Sequence, residues 1–298
     1  MTTRYLDPKV DLAFKRVFGE HANLLKSFLN ALLPLPEHAQ IDSLEYLTPE
    51  QVPEVPGLFK NSIVDVKCRD ALGRTFIVEM QMLWSTSFEQ RILFSASQAY
   101  VKQLRSGQDY AGLQPVYALA LTNQIFDRAS EQYYHHYRIV NLQNPQRVLK
   151  GLEFVFVELP KFLPKNRTDR LMQVKWLRFL SEVGTRSGEI DSELSSDPDI
   201  AAALKLVEVA AYTESELEAY HSHMDKARIE STVITDAKAE GKAEGKAEGK
   251  AEGKAEGKAE GERAAAMRIA RSLLALIADD AAIAGATGLT VAEVAGLR

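Results

Sequence analysis

The sequence predicts an α/β (α+β) core followed by a helical C-terminal region. Three observations point there. Apolar residues recur at helical spacing over 11–33, 88–106 and 169–183, while short apolar or alternating runs at 61–69, 74–82, 115–122 and 152–158 read as strands lying between them. The order helix, two or three strands, helix, strand, strand, helices is that of a sheet flanked by helices. From residue 238 the chain changes to a tetrapeptide repeat.

The 298 residues are 46% apolar and 26% charged, a soluble globular profile. The single cysteine, Cys68, excludes an intramolecular disulfide framework and any multi-cysteine zinc site. No run approaches the ~18–20 apolar residues of a membrane span. The opening MTTRYLDPKVDLAFK has no apolar core of a signal peptide, so a cytoplasmic protein with no membrane partner is expected. Net charge is −5, and since 238–261 and 262–298 are each neutral, all of it lies in 1–237. A polyanion would therefore be met by a local basic patch or through a bound cation.

In the 11–33 helix, Leu12, Phe14, Val17, Phe18, Leu24, Leu25, Phe28, Leu29 and Leu32 form the apolar stripe. Asp7-Pro8 provides an entry and Pro34 and Pro36 a stop. A Pro-rich loop follows at 49–56. Strands 61–69 and 74–82 flank the turn Ala71-Leu72-Gly73, where Gly73 is free to take positive φ. Both read as buried on two faces. The 88–106 helix has the stripe Leu93, Ala96, Tyr100, Val101 and Leu104. The run 115–122 suits a strand buried on both faces, and 152–158 a strand stopped by Pro160. Residues 169–183 and 197–237 read as mostly helical, with Thr213 and Glu216 in a capping-box pattern.

Residues 238–261 are six copies of Lys-Ala-Glu-Gly. A period of four stacks Lys on Lys and Glu on Glu, which is mildly repulsive. Each Gly costs ~1 kcal/mol against Ala, roughly 6 kcal/mol in all. Two readings stand: a spacer, or a helix that forms when its Ala/Gly side packs on a partner, which if helical throughout spans ~36 Å. Residues 262–278 are strongly helical. In 279–298, Ala284, Gly288, Val294 and Leu297 fit helix-turn-helix spacing, although a plain helical cap explains them too. Arg298 is the one basic residue after that turn, little with which to read DNA.

The stretch IVDVKCRDALGRTFIVEMQ carries the candidate chemistry. Folding it so that residue 70 meets 74 places Asp65 across from Glu79, with Lys67 beside Asp65 and Gln81 beside Glu79 on one face. Two carboxylates in an apolar sheet are costly unless they hold a cation, and oxygen ligands select Mg²⁺ or Mn²⁺. The alternative is an Asp65–Lys67 or Asp–Arg pair on an exposed hairpin, without metal. The six histidines do not cluster: His135-His136 point apart, and His221 and His223 are two apart on a helix. There is no Gly-rich phosphate loop.

The string from Asp65 to Gln81 resembles the PD-(D/E)XK phosphodiesterase signature, with Glu79-Met80-Gln81 carrying Gln in the Lys place. That variant, together with DPKVDLAFKRVFG (Asp7, Asp11, Phe14, Lys15, Phe18), the helix with Arg91, Tyr100 and Gln103, GQDYAGLQPVYALALT, FVELPKF and TGLTVAEV, resembles the recombination-promoting nuclease (Rpn), transposase-like family over essentially the whole chain. The resemblance implies a restriction-endonuclease-like core. It implies Asp65 and Glu79 as metal ligands, completed by the Met80 backbone carbonyl, with Gln81 orienting water or phosphate. Asp11 would hold the metal through water, unless it is only a helix-start acid. Lys15 and Arg91 are candidate phosphate contacts, or simply solvated charges. Gln81 only hydrogen-bonds, so Lys67 is the candidate for the missing positive charge.

The expected organisation is a nuclease-like core at 1–190, a helical extension at 191–237, the repeat at 238–261 and a helix-turn-helix-like segment at 262–298. The expected function is a Mg²⁺-dependent DNA endonuclease acting as a homo-oligomer, most simply a dimer. The alternatives are a non-catalytic DNA-binding or regulatory protein with a decayed core, or a scaffold that assembles through the repeat.

Overall fold

The computed structural model describes residues 4–48, 50–51, 62–63, 65–82, 84–85, 87–163, 171–184, 190–276 and 278–298. The Pro-rich stretch expected at 49–56 lies outside these apart from Glu50–Gln51. The chain divides into two compact units, Met1–Ile229 and Glu230–Arg298.

The first unit is built on a six-stranded mixed sheet. Its strands are β1 (Leu44–Tyr46), β4 (Val66–Asp70), β5 (Thr75–Gln81), β6 (Val116–Thr122), β7 (Tyr134–Asn141) and β8 (Asn144–Glu158), in the order β1-β4-β5-β6-β8-β7. The short β2 (Glu50–Gln51) and β3 (Ser62–Ile63) pair separately. β5, β6 and β8 run parallel and the other pairs antiparallel. The β5–β6 crossover is α3 (Phe88–Val101), as a parallel connection requires. Alternate residues of the central strands face opposite layers. Phe76, Val78, Leu119, Leu121, Val155 and Val157 pack with α2 (Ala22–Leu32), α4 (Leu171–Glu182) and α6 (Pro198–Leu206). Ile77, Val116, Ala118, Ala120 and Phe156 pack with α3. Leu194 in α5 (Ser192–Ser195) and Ile200, Ala203 and Leu204 in α6 belong to the main core, so the chain just beyond residue 190 is part of its packing. Among the described residues no helix is long and apolar enough to cross a membrane.

The 70-to-74 hairpin forms as its sequence indicates. Gly73 adopts φ +82°, and the Asp70 carboxylate accepts from the Leu72 and Arg74 amides at 3.0 and 2.9 Å. The ladder pairs Val66 with Val78, Lys67 with Ile77, Cys68 with Phe76 and Arg69 with Thr75, the expected register.

Several expectations need correction. The 11–33 helix is two helices, α1 (Asp11–Phe14) and α2, joined through a π-helical turn at Lys15–Gly19. Just beyond it, at the start of α2, His21 Nδ1 lies 2.8 Å from the Arg16 carbonyl. Apart from the half-buried Leu12, the apolar stripe is still buried, because both pieces face the same layer. Asp7 is not the helix cap: its carboxylate takes the Lys9 amide at 2.9 Å, and α1 begins uncapped at Val10. Of the two hairpin strands only β5 is buried on both faces, since β4 is next to the short edge strand β1 and alternates, whereas β6 is buried on both faces as expected. The buried face of α3 is Phe88, Ile92, Ser95, Ala96 and Ala99, whereas Leu93 and Val101 are exposed. β7 and the first half of β8 form a long, largely exposed hairpin whose polar sequence hides it.

Gly184, after α4, sits at φ +73°, and a Cβ there would fall 2.5 Å from the Asp7 amide nitrogen. That contact is backbone against backbone and cannot relax by a rotamer change. Gly184→Ala should therefore destabilise the unit by about 2–4 kcal/mol, read as a lowered Tm in thermal unfolding. An unchanged Tm would mean the N-terminal segment moves freely.

In the second unit the repeat is helical. It lies within α7 (Glu214–Leu274), which starts on the Thr213/Glu216 capping box: the Thr213 amide donates to Glu216 at 2.7 Å and the Glu216 amide to Thr213 Oγ1 at 3.3 Å. The repeat is thus helical throughout. α8 (Asp280–Thr287) ends at Gly288 with φ +73°, and α9 (Val291–Ala295) opens on a Thr290/Glu293 capping box. Ala270, Ile283, Ala284, Leu289 and Val294 make a small core with Leu297 against it, so the expected turn-and-buried-position spacing is realised. Arg298 is held by Asp280 at 2.7 Å and Arg263 pairs with Glu293.

Candidate active site

The site grows from the end of the β4–β5 hairpin. Odd-numbered residues of β5 face α3 and even-numbered ones the opposite layer, so Glu79 and Gln81 share the face of Ile77. Asp65 bends away just before the first ladder pair and turns its carboxylate onto β5, where Oδ2 accepts the Met80 amide at 2.7 Å. A strand residue's N–H and C=O point to the same neighbour, so the Met80 carbonyl faces the Asp65 side as well.

Glu79 is 5% exposed, and its Oε1 has no hydrogen-bond partner among the described residues. Burial, then the Asp65 charge, push its carboxyl well up from the ordinary value, with Arg91 and Lys15 opposing. Asp65 is also raised, by burial and by Asp11, with the Met80 amide, Lys15 and Arg91 opposing. A buried oxygen that accepts nothing, beside a second buried carboxylate, is expensive unless a cation takes them both. That donor set of oxygens fits a hard divalent ion. Among the described residues no three or more His, Cys, Asp or Glu side chains converge at ligand spacing.

The cations around the pair come from two helical elements. Lys15, at the start of the π-helical turn, pairs with Asp11 at 2.8 Å. Burial lowers its pKa, but Asp11, Asp65 and Glu79 outweigh this and leave it raised. Arg91 on α3 donates from Nη2 to Gln81 Oε1 at 2.6 Å, with its guanidinium 5.0 Å from the Phe88 ring centre. Asp11, Lys15, Asp65, Glu79, Gln81 and Arg91 are thus brought together.

Lys67 is not brought to them. It shares the sheet face of Glu79, as alternation requires, but its charged neighbours are Lys102 and Arg69, and burial followed by these two cations lowers its pKa. The expectation that Lys67 supplies the missing charge is not met in this side-chain position, where cations rather than the carboxylates surround its ammonium. It stands opposite Ile77, toward the C-terminal end of α3, whereas Lys15 and Arg91 reach the carboxylates.

Sequence reasoning missed the prop beneath α3. Trp84 stacks on Phe126 at 4.4 Å, and its amide donates to Gln124 Oε1 at 2.8 Å. Phe126 and Asp127 in turn donate their amides to the fully buried Glu158, at 2.6 and 3.1 Å. His135 at 2.9 Å and Lys161 complete that carboxylate's shell. Burial would raise the Glu158 pKa, but these donors outweigh it and hold it down. The buried network fixes the segment leading into α3 and so the origin of Arg91. A strand signal at 134–141 would have revealed His135 facing Glu158, but that hairpin is too polar to show one.

A family model described as PD-(D/E)XK nuclease family transposase matches residues 8–237. No curated protein and no solved structure matches the chain.

Proposed function

Because the chain belongs to the PD-(D/E)XK nuclease family transposases, we propose that it is a Mg²⁺-dependent (or Mn²⁺-dependent) endonuclease hydrolysing phosphodiester bonds in DNA. The observation that carries this is the buried Asp65–Glu79 pair, with an unpartnered Glu79 oxygen and Lys15 and Arg91 beside it. Asp65, Glu79 and the Met80 carbonyl would hold the ion, with Asp11 acting through water. A divalent ion so held lowers the pKa of a water and neutralises charge on the scissile phosphate. Gln81 offers its amide to orient water or a phosphate oxygen. Arg91, fixed through Gln81, presents a guanidinium suited to phosphate oxygens. Lys15 balances the second side of the pair.

The lack of a lysine in the acid-x-Lys position does not leave the site without positive charge, since Lys15 and Arg91 both reach it. That favours catalysis over a decayed binding protein. The bound Arg298 counts further against DNA reading by the C-terminal helices. Purified full-length protein should nick or linearise plasmid DNA when Mg²⁺ is added and stop when it is chelated, while Asp65→Ala should be inactive but folded. Equal cleavage by both proteins would assign the activity to a contaminant and remove the reading.

A further inference from the structure

From Ala239 to Gly261 every residue of α7 is exposed, and a Cβ added at Gly241, Gly245, Gly249, Gly253, Gly257 or Gly261 would meet nothing within 4 Å. A helix that is polar all round bridges solvent between domains, is held by many i,i+4 pairs, or is unstable on its own. Here residues four apart carry like charge, and the glycines weaken the helix further. No i,i+4 attraction is available within this stretch, and a covering partner would supply what it lacks.

The repeat specifies which partner. Each residue advances about 100° around the axis, so Lys, Ala, Glu and Gly stand at about 0°, 100°, 200° and 300°. The Gly row therefore runs between a Glu row on one side and a Lys row on the other. Consider two copies with Gly rows facing. A two-fold axis parallel to the helices sets each Lys row against the other copy's Glu row, on both flanks. An antiparallel two-fold sets Lys against Lys and Glu against Glu. Opposite charges at such flanking positions specify pairing and orientation. Because the stretch is a neutral repeat, an identical chain meets its complement at each repeat, which a DNA strand or a singly charged peptide would not. A period of four exceeds 3.6, so the rows drift about 40° per repeat in the right-handed sense, and the helices cross as Gly-x-x-x-Gly pairs do.

We propose that two copies of this chain associate in parallel through their 239–261 helices, Gly row to Gly row, with Lys242, Lys246, Lys250, Lys254 and Lys258 of each against the Glu row of the other. This goes beyond the nuclease reading and does not depend on it.

Sedimentation equilibrium of the full chain tests it, with thermal unfolding confirming that the remainder of each variant stays folded. The wild type should be a dimer whose association weakens at least about tenfold in molar salt. Replacing the five lysines by Glu, or Glu240, Glu244, Glu248, Glu252, Glu256 and Glu260 by Lys, should each give a monomer, and mixing the two variants should restore a 1:1 dimer. In a parallel pair Gly245→Cys should form a disulfide with its own copy on oxidation, Cys68 being buried and silent. A monomeric wild type, charge variants that each remain dimeric, or a dimer in which Gly245→Cys does not cross-link would overturn the proposal.

Discussion

Replacing Glu79 by glutamine should abolish divalent-ion binding and, in metal-free protein, raise stability at neutral and higher pH. The two effects have one cause. Burial and Asp65 raise the Glu79 pKa from its ordinary value to about 8. The folded protein therefore keeps a proton there that the unfolded chain has already lost. Stability from this group is full below the ordinary glutamate range and is lost as pH rises through the folded value. Without metal the wild type should thus weaken steadily between about pH 4.5 and 8, by on the order of a few kcal/mol. Glu79→Gln removes the titration and should flatten that slope, and Mg²⁺ should stabilise the wild type at pH 8 but not the variant. Calorimetric titration with Mn²⁺ and Tm against pH, with and without chelator, measure both. If the variant binds the ion as the wild type does, Glu79 is no ligand. If it melts lower than wild type at pH 8 without metal, Arg91 and Lys15 hold the ionised carboxylate more favourably than its burial implies.

The same hairpin shows what the sequence makes legible. Gly73 and the Asp70 turn set the register, and a period of two then decides the face of every side chain, so Asp65 and Glu79 could be placed together from the residues alone. Period two assigns a face but no direction along it, and so it could not separate Lys67 from the site. That depends on where α1 and α3 bring Lys15 and Arg91, which is tertiary packing. The break after Gly19 was hidden because both pieces bury one continuous stripe, Phe14, Phe18, Leu25, Phe28 and Leu29. The rotation of α3 was hidden because Leu93 and Val101 are as apolar as the residues it buries. β7 and the first half of β8 were missed because strands exposed on both faces need no apolar alternation, whereas the apolar end of β8 was read as the strand at 152–158. The helical state of the repeat runs against its intrinsic propensity, which pairing with a second copy would offset.

Replacing Arg91 by alanine should lower DNA cleavage at saturating Mg²⁺ by roughly 10²–10³, the scale of losing one charge-directed contact to the transition state. Arg91 is the cation tied to Gln81, so Gln81→Ala should lose less: the guanidinium remains but is no longer held at 2.6 Å. Lys67→Ala should cleave at nearly the wild-type rate, because its charged neighbours are Lys102 and Arg69 rather than the carboxylates. Taken from the acid-x-Lys pattern alone, Gln81→Lys should keep or raise activity. The structure reverses that expectation, because the new ammonium would stand against Arg91 and the two cations would repel. In an Arg91→Ala background the same substitution fills the emptied position with charge and should recover about tenfold of the lost rate. Single-turnover cleavage of a defined duplex, alongside Mn²⁺ calorimetry showing intact ion binding in all five variants, separates these cases. Wild-type rates in Arg91→Ala would remove Arg91 from the chemistry and leave Lys15 as the cation to test. A large loss in Lys67→Ala with ion binding intact would mean that DNA draws Lys67 toward the carboxylates.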